Sequence, residues 1–417
     1  MSDAGADEAA QGAGRGDEPR PRLPRRRLLL AGAGLLSGAG LGAVVWEASR
    51  PDTARPRTTA MREPPARRPA PGRRTAIWQA KVSVPRPQLM ATAGGVVYVA
   101  GDQGADWTPD ARGVVQALNA RDGSDMWAYT VPMGRPGTVI SDPPGMAAGQ
   151  GHVAYFAAND LTCLRASDGA RLWSDPSPLT RQLGAGPDAV YAVQETLFAL
   201  SSRHGTRLWS FAANAGPMAY PLLAGGVIYV PGSSTYSTSG LMLAIRASDG
   251  VKLWESPGPG GGWLACDGTT VCAVSGLRDV GQITGNGGPF PSQMWTYRAR
   301  DGKLLYRSAL NAGYGPPVMM AGLAFAMNAG NGHTPAGLHA VDPGTGRTIW
   351  SYPGASAAPA AARGRVYTAS PASHLIALNA SDGTPVWQCP VRVTLGPVAA
   401  GNTIYVCDNT TVHAVQA

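Results

Sequence analysis

The chain has 417 residues, with 55 Gly, 36 Pro, 5 Phe and only 15% charged residues, and 44% of it is hydrophobic. Gly and Pro at this level interrupt helices and argue against a bundle or coiled coil, while the apolar content suffices for a core and excludes a wholly disordered chain. The net charge of +8 is unevenly placed: residues 1–76 hold 14 Arg against 8 acids, and residues 77–417 hold 21 Lys plus Arg against 19 acids. The body is therefore nearly neutral, and no basic nucleic-acid-binding face is expected.

In chain order, residues 1–27 form a polar and then basic region ending in Arg25, Arg26 and Arg27. An uncharged run rich in Gly, Ala and Leu follows over 28–46. A charged region ahead of an apolar one is the pattern of a targeting segment. The doubled arginine resembles the twin-arginine export signal of bacteria. At 19 residues the run is also long enough to serve as an uncleaved membrane anchor with the body outside. Either reading exports the body. Gly40-Leu41-Gly42 is a poor cleavage site, and no cysteine follows the run closely enough for lipid attachment. Residues 47–75 are rich in Arg and Pro and read as an extended, disordered, cationic spacer.

From residue 76 onward the chain repeats itself. Trp127, Trp173, Trp209, Trp254, Tyr306, Trp350 and Trp387 each lie four residues after a glycine, and five of those glycines follow Asp. Six residues ahead of each glycine sits a small residue, from Ala117 and Cys163 to Ala377. Asp-Gly between alternating runs predicts a tight hairpin. Further strands precede it, such as Val96–Val99 and Val227–Val230, each after a turn such as Gly94-Gly95 or Gly225-Gly226. Four antiparallel strands in 36–52 residues is the size of a propeller blade. The last copy stops before its Trp strand, and the strand around Trp78 stands alone at the start. The reading is an all-β, eight-bladed β-propeller over 76–417, its last blade closed by the N-terminal strand.

Ala340, Asp342, Thr345, Gly346, Arg347 and Trp350 closely fit the repeat Ala-x-Asp-x-x-Thr-Gly-Lys-x-x-Trp. On these residues the sequence resembles the quinoprotein-type (PQQ-like repeat) β-propeller family. That resemblance implies the fold and leaves two functional branches. One holds non-enzymatic envelope scaffolds similar to the outer-membrane assembly lipoprotein, together with extracytoplasmic sensor propellers of bacterial Ser/Thr kinases. The other holds dehydrogenases that use pyrroloquinoline quinone (PQQ) with calcium, and these typically carry adjacent cysteines beside the quinone. Cys163, Cys266, Cys272, Cys389 and Cys407 are never neighbours. The turn Asp residues are explained as Asx turns, and no calcium-loop spacing appears. The expectation is no enzyme, no catalytic residue, no cofactor and no metal, with the quinone-dependent dehydrogenase as the alternative.

Cys266 and Cys272 flank a turn, and Cys389 and Cys407 lie in successive blades, so each pair is a candidate disulfide, with Cys163 left free. The links between second and third strands expand at 101–113, 231–240, 276–292 and 328–337, all on one face of the ring. They carry Trp107, Tyr236, Phe290 and His333, candidate anchors for an envelope protein, peptide or glycan. A monomer is expected, touching the membrane only through its N-terminal segment if that is uncleaved.

Overall fold

The structure is a computed structural model that describes residues 71–103, 112–131, 145–157, 160–175, 182–193, 196–212, 221–233, 240–259, 262–275, 293–308, 315–328 and 336–417. These residues form strands and turns with no helix, and all fall within the unit Ala60–Ala417. The export and anchor readings over 1–46 lie outside the described residues.

Blade one comprises Arg86–Ala93, Val96–Gln103, Arg112–Asn119 and Asp125–Val131, paired in that order. Blades two to seven follow over 145–175, 182–211, 222–258, 263–308, 318–353 and 360–392. Blade eight has three strands from the C-terminal end, Leu395–Ala400, Thr403–Asp408 and Thr411–Gln416. Its outer strand is Trp78–Lys81, antiparallel to Thr411–Gln416, which is the closure expected from the repeat. The first strand of each blade packs on the first strand of the next, and that of blade eight returns to blade one. Sheets stacked this way bury both faces, so the core is divided into eight apolar clusters, one at each seam.

The repeat residues hold the seams together. The small residue lies in the third strand, directly opposite the aromatic of the fourth: Ala117 pairs with Trp127, Cys163 with Trp173, Thr296 with Tyr306, and Ala414 with Trp78. Seven of the eight aromatics then lean on the turn glycine of the next blade, as Trp78 does on Gly123 and Trp350 on Gly383, Trp387 being the exception. Six indole Nε1 groups donate across the seam: Trp78 to Ala120, Trp127 to Ala166, Trp173 to Ser202, Trp209 to Ala247, Trp254 to Ala299 and Trp350 to Ala380 carbonyls. Where Tyr306 replaces Trp, the Thr296 hydroxyl donates instead to the Pro343 carbonyl at the same place in the next blade.

The hairpin is wider than Asp-Gly alone suggests. Strand three of blade one ends at Asn119 and strand four begins at Asp125. The Gly123 N–H donates to the Asn119 carbonyl, and the matching bond recurs in the other six turns. Only the glycine has positive φ, +75° at Gly123, because a two-residue mirror-image turn is not used. The Asp caps the turn as an Asx residue: Asp122, Asp168 and Asp382 accept from the N–H two residues on. Just before the aromatic, seven fourth strands carry a bulge that pushes one apolar side chain outward, such as Met126, Leu208, Leu253 and Ile349. The aromatic thus stands near the start of the outer strand rather than at its end.

Two expectations need correction. Gly72 and Arg73, placed by sequence in the spacer, form a short strand parallel to the outer strand of blade seven, where an unpaired edge offers backbone donors and acceptors. All five cysteines are free thiols, and neither candidate disulfide forms. Cys272 pairs in register with Ala265, so its neighbour Cys266 points to the opposite face of the same sheet. Cys272 packs into the seam toward blade six and Cys266 into the seam toward blade four. The blade-eight sheet likewise separates Cys389, which packs on Val406, from Cys407, which packs on Tyr405.

Candidate interaction face

In an antiparallel meander, the links between strands two and three share one face with the links between blades, and the Gly-rich turns share the other. The described ends of all four expanded links therefore lie on one face. Trp107, Tyr236, Phe290 and His333 lie outside the described residues. It does describe the bases on which these links stand, and those bases differ between blades.

Among the described residues, the second strands of blades one and four run furthest toward this face. Measured from the tyrosine opposite the small residue, strand two of blade one continues from Tyr98 to Gln103, paired with Arg112 at its tip. In blade four it runs from Tyr229 to Ser233, paired with Gly240. In blades three and seven it stops two residues on, at Val193 and Ala369. Tyr155 of blade two props the blade-one hairpin by donating from its hydroxyl to the Gly101 carbonyl at 3.1 Å. This approach requires glycine at Gly101 and Gly113: a Cβ at either would overlap the Arg86 carbonyl or the Tyr155 ring.

Under the longest link, 276–292, the support is aromatic and cationic. Arg307 lies over the Trp295 ring with its guanidinium carbon 4.2 Å from the centroid. Trp295 stacks on Tyr297 at 6.4 Å and 7°, and Tyr297 contacts Trp254 and donates to the Pro257 carbonyl of blade four. Arg307 Nε donates to Gln293 Oε1, while the Ser275 hydroxyl accepts from the Gln293 N–H. Burial raises the Tyr297 hydroxyl pKa, and burial also lowers that of Arg307. Arg307 is still charged at neutral pH, because a guanidinium is not deprotonated in proteins. The column fixes both ends of the link. Sequence reasoning passed over Trp295 and Arg307, though Trp295 is the one tryptophan in a third strand, immediately before the repeat's small position and in the blade with the longest link.

On blades seven and eight the same face is flat. Ser370 and His374 close a tight link, the His374 N–H donating to the Ser370 hydroxyl, and Thr394 accepts from the Asn409 N–H. The described part of this face is therefore uneven, with its longest second strands on blades one and four.

The axis of the ring is lined by the first strands, Arg86–Ala93, Gly145–Gly149, Gln182–Ala185, Leu222–Ala224, Trp263–Cys266, Val318–Met320, Ala360–Ala362 and Leu395–Ala400. Their half-buried side chains include Met90, Met146, Leu223, Met319 and Val398, and no carboxylate or histidine lies on any of them. Among the described residues no group of three His, Cys, Asp or Glu gathers that could hold a metal. Burial raises the pKa of Asp160, with Arg171 opposing and Asp175 adding to that shift. The residues described do not fit a quinone with its calcium. His339 and His413, at matching repeat positions, are strand residues, and burial lowers the pKa of His413.

The family described as outer membrane protein assembly factor BamB matches this chain over 73–189, 111–352 and 295–417. No curated protein matches it by sequence. Among solved structures, BamB from Moraxella catarrhalis aligns with a TM-score of 0.59 at 16% identity, covering 82% of this chain and 97% of its own. The computationally designed Ika8 protein aligns at 0.56 with 11% identity, covering 82% of this chain and 100% of its own. The quinohemoprotein alcohol dehydrogenase ADHIIG from Pseudomonas putida HK5 aligns at 0.56 with 14% identity, covering 83% and 76%. At these identities the likeness is one of fold.

Proposed function

The chain belongs to the family described as outer membrane protein assembly factor BamB, and from that premise we propose that it is an exported binding scaffold of the bacterial cell envelope. It captures a protein partner on the raised face and performs no covalent chemistry. The observation that carries this reading is the asymmetry of that face: insertions stand on blades one and four to six, on projecting hairpins and the Arg307–Trp295–Tyr297 column, while the opposite face keeps uniform turns. Insertions confined to one face of a repeat ring are the usual place of partner contact.

The apolar wall of the axis supports the non-catalytic side of the reading. A dehydrogenase would need a base for the substrate proton and carboxylates for its cation, and the described first strands supply neither. The N-terminal segment delivers the propeller across the membrane and, if retained, tethers it there. The reading is tested by crosslinking in intact envelopes, comparing the natural chain with one whose four expanded links are shortened. Loss of a discrete crosslinked partner with the ring still folded supports it, and unchanged partners reject the assigned face.

A further inference from the structure

The exposed apolar side chains of the ring gather at one level. Among the described residues eight large apolar side chains stand exposed, and all eight lie at the turn-face end of an outer strand. Five of them belong to three adjacent blades: Leu208 of blade three, which is 54% exposed, Val251 and Leu253 of blade four, and Leu304 and Leu305 of blade five. The other three stand at the same level on blades one, six and eight. The bulge before the aromatic explains why such side chains point outward, but it sets no requirement that they be apolar. One step past the aromatic the exposed residues become Ser210 on blade three and Glu255 on blade four, with Gln79 and Ala128 at the matching places of blades eight and one. The apolar belt is therefore confined to the turn-face rim.

Cations are interleaved with the belt. Arg207 immediately precedes Leu208, Lys252 precedes Leu253 and Lys303 precedes Leu304, and all three are exposed. Blade three adds exposed Arg203 from its turn, where His204 takes the place of the usual Asp. The turn carboxylates nearby are already engaged, Asp249 by Arg246 and Asp301 by Arg298 and Arg300, while Lys252 pairs with Glu255. Arg203 and Lys303 form no ion pair among the described residues.

The chain also enters the ring at this end. Gly72 and Arg73 run parallel to the outer strand of blade seven, which starts at the turn face, so the residue before Gly72 lies toward that face. The uncharged run at 28–46 and the Arg- and Pro-rich stretch after it precede this entry in the sequence. An exposed apolar band studded with Lys and Arg is the composition that settles at a bilayer boundary, its apolar groups below anionic headgroups and its cations among them.

We infer that the turn-face rim, chiefly over blades three to five, rests on an anionic lipid surface and directs the face of the expanded links away from the bilayer. The inference rests on the exported, membrane-adjacent location read above, and it is independent of partner capture.

The test uses the full chain on vesicles of phosphatidylcholine with and without phosphatidylglycerol. A photo-crosslinking amino acid replaces Leu208 or Leu253 at the rim, or Thr130 or Arg392 at the far end of outer strands. Local lipid adducts separate contact by the ring from any insertion of the N-terminal run. Lipid adducts are expected from the two rim positions and not from the far positions, and they should require phosphatidylglycerol. With the probe at Leu253, Lys303→Gln should lower the adduct yield about fivefold, the contribution of one surface cation. Leu208→Ser combined with Leu305→Ser should lower it as well, with the circular dichroism of the ring unchanged. Equal lipid adducts from Thr130 and Arg392, or a yield indifferent to phosphatidylglycerol and to Lys303→Gln, would overturn the inference. A rim adduct at twice the chain mass would overturn it too, since a second copy would then cover the belt. Absent rim lipid adducts, with protein adducts from Gln103 retained in intact envelopes, would reject the bilayer contact and leave partner capture standing. Rim lipid adducts without those protein adducts would support the bilayer contact and reject partner capture.

Discussion

Trp78 sits on Gly123, and its Nε1 donates to the Ala120 carbonyl at 3.3 Å, so this tryptophan locks blade eight onto blade one by the contact that recurs between most other blades. The ring is thereby closed without a covalent bond, and the account of its stability rests on this repeated contact.

Gly123→Ala should be more costly than a surface change. The added Cβ would press into the Trp78 ring, and φ at +75° disfavours any side chain. Overpacking and left-handed strain together predict a loss of about 2–4 kcal/mol. Urea unfolding followed by circular dichroism checks it, and a loss below ~1 kcal/mol would show that the indole does not hold this glycine.

The Tyr306 seam offers a second test. Thr296→Val keeps the shape but leaves the Pro343 carbonyl without its hydroxyl donor, predicting a loss of about 1–3 kcal/mol. Adding Tyr306→Trp should recover part of it, because an indole N–H reaches this carbonyl position in six other seams. A double variant no more stable than Thr296→Val would contradict the substitution of one donor for another.

Cysteine chemistry separates the two faces of each sheet. Burial pushes the Cys163 and Cys272 thiols up to about 12 and Cys407 to about 11, which leaves little thiolate at pH 8. Half-buried Cys266 should react first with a thiol reagent in the native state. All five should react after unfolding without reductant, and intact mass should not change on reduction. A gain of two mass units on reduction would restore a disulfide.

Stability should fall on mild acidification. Burial lowers the pKa of His152, outweighing its hydrogen bonds and Asp188, and burial lowers that of His413. The unfolded chain then binds more protons below its ordinary histidine pKa of ~6.5. Stability is complete above that value and is lost as pH drops from about 7 toward 5. His152→Gln should flatten the curve of Tm against pH in this window, whereas an unchanged slope would remove His152 as its cause. The turn carboxylates Asp122, Asp168 and Asp301, held below the ordinary range by hydrogen bonds from Ser124, Ala170 and Arg298 respectively, contribute above their unfolded pKa and lose that contribution at lower pH.

The fold was legible because each seam needs three local marks, a small residue, a turn glycine and an aromatic, at fixed offsets. Trp78 was readable as the missing outer strand for the same reason. The bulge before the aromatic left a sequence trace as well, in the apolar residue preceding it from Met126 to Val386. The cysteine pairing was not legible, because it depends on which face each strand residue takes, and one step along Trp263–Cys266 reverses that. Strand pairing of Gly72 and Arg73 was hidden by composition, since an edge strand needs only backbone groups. The raised face was visible as uneven link lengths, but its supports, Tyr155 and the Arg307–Trp295 stack, come from residues distant in sequence and carry no local pattern.

The most direct test of partner capture places a photo-crosslinking amino acid at single positions of the full chain in intact envelopes. Gln103 and Ser233 sample the projecting hairpins, and Ser124 and Asn402 sample the turn face. The account predicts a discrete protein adduct from the hairpin positions and none from the turn positions. Adducts of equal yield from both faces, or from the turn face alone, would contradict it.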